Sequence, residues 1–544
     1  MAEPAVKTKR HHLRTEQRTN VKNSAGRILL IGIGLAIQLS WVFLLLFRLS
    51  SYAAWIAQVM SLLALIVALA IYGRQTNSAI KLPWIMLIIS VPFVGLFLYA
   101  FYGREGATRG MRRRFDDLDA RLSGSLPKDK SIYLKLKEDD VAAANMAHYI
   151  YENAGYPMYG NTAVTFYGDT RDALDAQVSD LQTAQSFIFL EYHAIEYASA
   201  FNRILTVLRE RAAAGVEVRI FYDDIGSFSF ISPEFIKEME ADGIQCRVFN
   251  PITPVVNIFM NNRDHRKITV IDGRVGFTGG YNLAEEYFNI THPYGHWKDT
   301  GVRLEGEAVR SLTFMFLEMW NAVNASDIDD VSYEKYLPLP LLHPAIPGWA
   351  KETAAPVPVP GADEGLVQPY ADSPLDDEHV GENVYLNIVS MAKRYVYFTT
   401  PYLIITDEMN KVLRLAARRG VDVRIITPGI PDKKIVYKLT RSYYARLVSS
   451  GVRIFEYTPG FLHAKECVSD DQVATVGTIN LDYRSLYLHF ENGVFFYGGH
   501  IIEDVRRDFE DLFAVSREVT EDYRTQKKGL HFGEYILRLL SPLL

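Results

Sequence analysis

HRKITVID occupies residues His265–Asp272 and is followed by GGYN at Gly279–Asn282. A second version lies near the other end of the chain, as HAKECVSD at His463–Asp470 followed by GTIN at Gly477–Asn480. Both copies fit the pattern H-x-K-x4-D, and the first His precedes the Asn by seventeen residues in each copy. One such motif is weak evidence, but two copies with the same downstream spacing indicate a duplicated unit.

The flanking sequence is duplicated in the same order. A β-branched strand, an amphipathic helix that ends at Gly, a second strand and a third strand after another Gly are predicted in both halves. The segments are FIFLEY (187–192), ILTVLRERAAAGVEVRIFYD (204–223) and GIQCRVF (243–249), then YVYFTT (395–400), VLRLAARRGVDVRIITP (412–428) and GVRIFEY (451–457). This alternation predicts two similar α/β units with parallel or mixed sheets between helices.

The motif residues suit phosphoryl chemistry. Residues two apart on a strand point to one face, so each His and its Lys are expected to project together. A neutral imidazole is a competent nucleophile towards phosphorus, and a second imidazolium can protonate the leaving alkoxide. Lysines and asparagines from both halves could surround the phosphate and stabilise its charge. The candidate site is His265, Lys267, Asn282, His463, Lys465 and Asn480.

The two motif aspartates, Asp272 and Asp470, have two possible roles. A carboxylate can hold an imidazole through its second ring nitrogen and so fix the tautomer. It can equally fasten the turn in which it lies. Spacing does not decide between these roles, and both aspartates are counted with the catalytic residues.

Apolar sequence is concentrated before residue 105. Runs at 28–47, 52–72 and 82–102 are each about the length of a membrane-crossing helix, which predicts a membrane anchor over 1–105. Basic residues precede the first run and follow the third, so the positive-inside rule places both ends in the cytoplasm. Three full crossings would violate that rule. A kinked or re-entrant third run, with Pro83 and Pro92, would satisfy it, and so would a first run that lies in the interface.

The remaining boundaries follow from composition. A charged linker is expected over 106–144, the first α/β domain over 145–336, a Pro-rich linker over 337–376 and the second domain over 377–544. The net charge of −6 over 544 residues gives no reason to expect nucleic-acid binding. The two cysteines, Cys246 and Cys467, are too isolated for a metal site or a disulfide framework. No oligomeric state follows from the sequence.

At these residues the chain resembles the phospholipase D superfamily, and within it the bacterial cardiolipin synthases. The twin motifs carry the superfamily resemblance. Phrases typical of the synthase branch are YDDIGS (222–227), HWKDTGVRLEG (296–306), TTPYLI (399–404), GTINLDYRSLYLHFENG (477–493) and the closing SPLL (541–544). The first apolar run is additional to the two-helix anchor common in that branch.

The resemblance implies a pseudo-twofold, bilobal pair of α/β units behind transmembrane helices, with one active site between the units. It implies conversion of two phosphatidylglycerols to cardiolipin and glycerol through a phosphohistidine, with His265 as nucleophile and His463 as acid and base. Glu191, Tyr192 and Glu491 become expected pocket residues. Phospholipids are the expected partners, no metal or organic cofactor is implied, and the enzyme is expected in the inner membrane, multi-pass, with a cytoplasmic catalytic domain.

Alternatives with the same covalent chemistry remain open. A hydrolytic phospholipase D would resolve the intermediate with water, and another phosphatidyltransferase would use a different donor or acceptor. A catalytically inactive membrane scaffold is a further alternative, but decay of at least one motif would be expected there, and both copies are intact.

Overall fold

A computed structural model describes residues 54–524, except for 75–76, 104–108, 123–125, 127, 233, 252–261, 324–334, 338–357 and 377, together with isolated positions 36, 40, 533, 537–539 and 541. The helices, α1 to α18 in chain order, are Ala54–Tyr72, Ser78–Ser90, Pro92–Tyr102, Arg109–Leu122, Lys130–Asp139, Val141–Ala154, Thr170–Leu181, Ser199–Ala213, Asp224–Ser227, Phe235–Ala241, Val309–Val323, Val380–Met391, Asp407–Arg418, Lys434–Ser442, Tyr444–Val448, Tyr483–Tyr487, His500–Ala514 and Thr520–Arg524. The strands, β1 to β18, are Thr162–Tyr167, Phe187–Tyr192, Glu217–Asp223, Gln245–Phe249, Arg263–Asp264, Lys267–Ile271, Val275–Gly279, His296–Lys298, Gly301–Gly306, Leu366–Asp372, Tyr395–Thr399, Asp422–Pro428, Arg453–Tyr457, Gly460–Leu462, Glu466–Ser469, Val473–Gly477, His489–Tyr497 and Ser516–Glu518.

Two mixed sheets form the core, and seven strands of the second repeat the strand order of the first, with β18 added at the edge. The first sheet runs β1-β9-β7-β6-β2-β3-β4, and the second runs β10-β17-β16-β15-β11-β12-β13-β18. In each, three neighbouring strands are parallel (β2, β3, β4 and β11, β12, β13), and the strand after the motif His is antiparallel to the first of them. The predicted repeat is therefore present strand for strand. We call the chain segment of the first sheet the first half and that of the second sheet the second half.

Local sequence explains the matching helix-to-strand turns. After α8 the chain turns at Gly215 with φ 92°, and after α13 it turns at Gly420 with φ 95°. Positive φ is readily available only to Gly, so the same turn chemistry is repeated in both halves. These turns direct β3 and β12 back into the sheets, parallel to β2 and β11.

Two short parallel pairings join the halves. Strand β5 of the first half pairs with β17 of the second, and β8 of the first half pairs with β14 of the second. Beyond these pairs, the His265 N–H donates to the Phe490 carbonyl at 2.9 Å and the His463 N–H donates to the Lys298 carbonyl at 2.7 Å. Each motif histidine is thus fixed, by its own backbone, to the opposite half.

The apolar N-terminal runs are partly described. The run at 28–47 lies almost wholly outside the described residues, and 52–72 corresponds largely to α1. The run at 82–102 is not one helix, since α2 ends at Ser90 and α3 begins at Pro92, after Val91 with the non-helical angles φ −137° and ψ 76°. Within the described part of the chain, no helix is both long and apolar enough to span a bilayer.

The two expected linkers differ from expectation. The segment 106–144 carries α4, α5 and the start of α6 rather than irregular chain, and α4 packs on α11 of the first half. In the Pro-rich segment, 338–357 lies outside the described residues, but Leu366–Asp372 is strand β10, paired with β17. Pro369 lies within this strand and other prolines precede it, which is why the sequence favoured a linker here.

Candidate active site

A cavity of about 300 Å³ lies between the two halves. His265 and Asn282 line it from the first half, and His463 and Asn480 line it from the second. Aromatic side chains form much of the remaining wall, among them Tyr287, Trp297, Tyr402 and Phe461. The four motif residues that resemble a phosphate site are therefore brought to one place, although 198 residues separate equivalent positions of the two motifs.

His265 is held by a carboxylate from the other half. Its Nδ1 lies 2.9 Å from both Oε1 and Oε2 of Glu491. Glu491 is itself fully buried and also accepts hydrogen bonds from the hydroxyls of Thr478 and Ser485. Since a carboxylate only accepts, Nδ1 carries the proton and Nε2 of His265 is left with its lone pair.

His463 has the mirrored arrangement. Its Nδ1 lies 2.6 Å from Oδ2 of Asp299, a residue of the first half. The Nζ of Lys465 lies at the same 2.6 Å from Nδ1 and also donates to the His463 carbonyl. His463 is therefore bounded on Nδ1 by both a carboxylate and an ammonium, whereas His265 faces a carboxylate alone.

The two motif lysines are buried under the cavity. Lys267 and Lys465 are each 1% exposed. Lys267 donates to the His265 carbonyl at 2.5 Å, as Lys465 does to the His463 carbonyl. Both ammonium groups interact electrostatically with Glu491 and Asp299, so the base of the site places two cations beside two carboxylates.

Burial dominates the electrostatics of these groups. It lowers the pKa of Lys267 to about 8 and that of Lys465 to about 7, against the opposing attraction of the nearby carboxylates. Burial and the neighbouring lysines lower the pKa of His463 to about 4 and hold the pKa of His265 well below its usual range. Both imidazoles are consequently neutral near pH 7, which is the form required for nucleophilic attack.

Asp299 stays ionised despite its burial. Burial alone would raise its pKa, but His463 and Lys465 together hold the pKa below its usual value. Gly280 makes room for this carboxylate, because a Cβ at that position would lie 2.0 Å from Oδ1 of Asp299. Gly280, the second glycine of GGYN, is therefore required because a side chain there would displace Asp299, the partner of His463.

The two motif asparagines line the cavity but differ in their hydrogen bonding. Asn282 donates to the Tyr287 hydroxyl at 2.8 Å and accepts from the Ala194 N–H at 3.2 Å, so its amide is held in one orientation. Asn480 lines the cavity with a buried Oδ1 that has no hydrogen-bond partner among the described residues. An unpaired buried acceptor at a cavity wall suits a ligand that brings a donor, such as a hydroxyl.

Asp272 and Asp470 do not hold the imidazoles, and the alternative in which they do so is wrong. Asp272 has φ 53° and accepts the backbone N–H groups of Gln185, Ser186 and Phe187 at 2.7–2.8 Å. Asp470 repeats this with φ 57° and the N–H groups of residues 393–395. Both are turn residues in a left-handed conformation that Asp tolerates, and each fastens the start of the neighbouring strand.

Two of the three pocket residues taken from the resemblance lie elsewhere. Tyr192 shares a face with Lys267, but its hydroxyl is bonded to Gln177 and Thr269 in the core under α7. Glu191 points to the opposite face of the sheet, buried where Asp264 and Arg266 act on it. Glu491, the third, is at the site as the partner of His265 and not as part of the cavity wall.

Sequence reasoning missed Asp299 and two further histidines. His193 and His489 also line the cavity, with ring centroids 5.1 and 5.5 Å from that of His265. No motif or spacing in the sequence singles out His193 or His489. Asp299 lies within HWKDTG (296–301), one of the stretches typical of the synthase branch. Among the described residues, His265, His489 and Glu491 also form the one group whose ligand atoms, all within 4.8 Å of one another, could hold a metal ion.

Comparison with known proteins shows which family this chain is similar to. The family model "Cardiolipin synthase, PLD-like domain" matches residues 178–320 and 385–513, and the model "Phospholipase_D-nuclease N-terminal" matches residues 59–104. An uncharacterised protein of Streptococcus mutans is 39% identical over 88% of this chain and 99% of its own length. A cardiolipin synthase of Geobacillus kaustophilus is 32% identical over 89% of this chain and 93% of its own length.

A solved structure shares the fold. The phosphatidylserine synthase of Haemophilus influenzae superposes with a TM-score of 0.52 at 14% identity, over 73% of this chain and 97% of that one. The family matches cover both motif histidines and both of their carboxylate partners. From its twin motifs, its paired sheets and its relatives, the chain belongs to the cardiolipin synthase family of phospholipase D-like proteins.

Proposed function

We propose that the protein is a cardiolipin synthase, a phosphatidyltransferase that moves a phosphatidyl group from one phosphatidylglycerol to another and releases glycerol. One observation carries the proposal. Two neutral histidines, one from each half, line a single cavity, and a carboxylate contacts the Nδ1 of each. This arrangement supplies a nucleophile, an acid and a base for one phosphodiester. The two halves act as a pseudo-twofold pair.

The environments of Nδ1 favour His265 as the nucleophile. Its Nδ1 faces only Glu491, so Nε2 presents a lone pair to the cavity. Nε2 attacks the donor phosphorus, a P–N bond forms and the P–O bond to glycerol breaks. His463, protonated once the anionic donor is bound beside it, gives its proton to the leaving glycerol oxygen.

The second step reverses the proton transfer. His463, now neutral, takes the proton from a hydroxyl of the second phosphatidylglycerol. That oxygen attacks phosphorus, the P–N bond breaks and His265 regains its lone pair. Lys267 and Lys465 stabilise the non-bridging oxygens from below, and Asn282 and Asn480 are placed to orient the headgroup.

The N-terminal helices are proposed to hold the enzyme in the inner membrane as a multi-pass anchor, with the catalytic halves on the cytoplasmic side. Helix α1 exposes large apolar side chains, including Trp55 at 66%, Leu69 at 61% and Tyr72 at 73%. Contiguous exposed apolar surface of this kind is typical of membrane contact. Retention of the protein in membranes after alkaline carbonate washing, and its loss without residues 1–105, tests this part.

The activity is tested with phosphatidylglycerol labelled in its terminal glycerol, in mixed micelles with purified enzyme. Cardiolipin and free glycerol should appear in equal amounts, and both should be lost in His265→Ala and His463→Ala. With donor labelled in its phosphate and a quench in denaturant at mildly alkaline pH, where a P–N bond survives, His463→Ala should retain more phosphoenzyme than His265→Ala if His265 is the nucleophile.

Other outcomes would redirect the proposal. Phosphatidic acid as the main product means that water resolves the intermediate, as in a hydrolytic phospholipase D. Turnover that appears only when phosphatidylethanolamine is added keeps the mechanism and changes the donor.

A further inference from the structure

The cavity contains a cation that the chemistry at phosphorus does not use. Arg484 lies on the short helix α16 and lines the cavity together with the motif histidines. Its Nε lies 3.3 Å from Nε2 of His489. Among the residues the structure describes, no carboxylate lies within 4 Å of its guanidinium, whereas Arg263 on the same wall lies 3.4 Å from Asp223.

The proposed reaction requires a second anion in the same cavity. The acceptor phosphatidylglycerol carries its own phosphodiester, which does not react, at the far end of the glycerol whose hydroxyl attacks. In the product the two phosphates are separated only by that glycerol. An anion drawn into a largely buried cavity is costly unless it meets a cation, and Lys267 and Lys465 are already committed to the reacting phosphate.

Arg484 and the nucleophile His265 share His489 as a neighbour. The centroid of the His489 ring is 5.5 Å from that of His265, and Nε2 of His489 lies 3.3 Å from Nε of Arg484. Arg484 and His265 line the same cavity, as binding of two phosphates joined by a single glycerol requires. A guanidinium also binds phosphate through two parallel hydrogen bonds, which a lysine does not.

The helix holding Arg484 is fixed to the catalytic machinery. Asp482 caps α16 by accepting from the Ser485 N–H at 3.0 Å, and the Ser485 hydroxyl donates to Glu491. Glu491 in turn holds His265. A phosphate bound at Arg484 is consequently placed in a constant relation to the nucleophile.

We propose that Arg484 forms a second phosphodiester subsite, which binds the unreactive phosphate of the acceptor lipid and so selects phosphatidylglycerol over water or a neutral alcohol. This subsite rests on the proposed function, since only a phosphate-bearing acceptor needs it. Lys433, at the cavity rim, is a weaker candidate because it is 64% exposed and already contacts Asp432 and the Tyr402 hydroxyl.

The test compares two acceptors that share one donor and one intermediate. Full-length enzyme in micelles receives phosphatidylglycerol together with labelled glycerol. Cardiolipin reports the phosphate-bearing acceptor, and labelled phosphatidylglycerol reports exchange with the neutral one. In Arg484→Gln, cardiolipin formation should fall by about tenfold to a hundredfold, the usual effect of losing a charged hydrogen-bond pair, while glycerol exchange stays within about twofold.

Matched variants separate charge from structure. Arg484→Lys keeps the charge and should recover part of the cardiolipin rate. Arg446→Gln removes an exposed arginine paired only loosely with Asp407, at 3.5 Å, and should change neither product.

Two outcomes would overturn the subsite. A parallel loss of cardiolipin and exchange in Arg484→Gln would mean that Arg484 acts through His489 on His265. Equal retention of both would place the acceptor phosphate elsewhere. Wild type that exchanges glycerol but makes no cardiolipin would instead refute the proposed function, independently of the variant.

Discussion

The imidazole of His265 and the carboxylate of Glu491 meet across the boundary between the halves, with Nδ1 2.9 Å from each carboxylate oxygen. They are 226 residues apart in sequence. Asp299 and His463 form the reciprocal pair, so each half supplies the residue that orients the other's histidine.

Glu491→Gln should lower kcat by about 10²–10⁴-fold with little change in KM, because an amide no longer enforces the Nδ1–H tautomer of His265. Asp299→Asn should do the same for His463. Steady-state kinetics with circular dichroism of each variant checks this. Rates within threefold of wild type in either variant would show that its carboxylate is dispensable. The control is Glu503→Gln, on the exposed face of α17, which should leave both kcat and KM unchanged.

The value of kcat/KM should fall as the pH rises through about 7 to 8, where Lys465 and Lys267 lose their protons. Below that range both ammonium groups are charged and attract the anionic donor. On the acid side, kcat should fall near pH 4, where a protonated His463 can no longer serve as the base of the second step. Because a guanidinium remains charged, Lys465→Arg should move the alkaline limb upwards; an unmoved limb in both Lys→Arg variants would exclude the lysines as its cause.

Asp272→Asn should destabilise the protein by about 1–3 kcal/mol, because charge-assisted bonds to three backbone N–H groups are weakened. Its kcat should remain near that of wild type, since Asp272 fastens a turn and Asn tolerates the same left-handed backbone. Thermal unfolding and kinetics on the same preparation distinguish the effects. A hundredfold loss of kcat with an unchanged Tm would return Asp272 to the catalytic residues.

Gly280→Ala should inactivate the enzyme without unfolding it, because the new Cβ displaces the Asp299 carboxylate from His463. Gly110→Ala is the matched control: it lies in α4, and the nearest atom to its added Cβ is Arg114 Nη1 at 3.8 Å. That control should keep full activity and gain up to about 1 kcal/mol in stability, as Ala replaces Gly in a helix. An active Gly280→Ala variant would mean that Asp299 can move and still serve His463.

Local sequence predicted the repeat and the strands around both motifs, because periodicity and Gly turns are read over short windows. The meeting of His265 with His463 in one site was implied by the family resemblance. Local sequence could not predict Asp299 as a partner. That pairing depends on β8 meeting β14, a contact of three residues on each side between distant segments. The prediction of Tyr192 and Glu191 as pocket residues was wrong for a related reason. Both lie on β2 near the motif strand, but packing against α7 buries the Tyr192 side chain, and Glu191 is buried on the opposite face beside Arg266.

The reciprocal exchange of orienting carboxylates also limits how the gene can change. Duplication ordinarily leaves one copy free to decay while the other is kept. Here loss of Asp299 from the first repeat would cripple the histidine of the second, and loss of Glu491 from the second would cripple that of the first. Selection therefore acts on both repeats at once, and neither repeat can lose its carboxylate or be separated from the other without loss of the site.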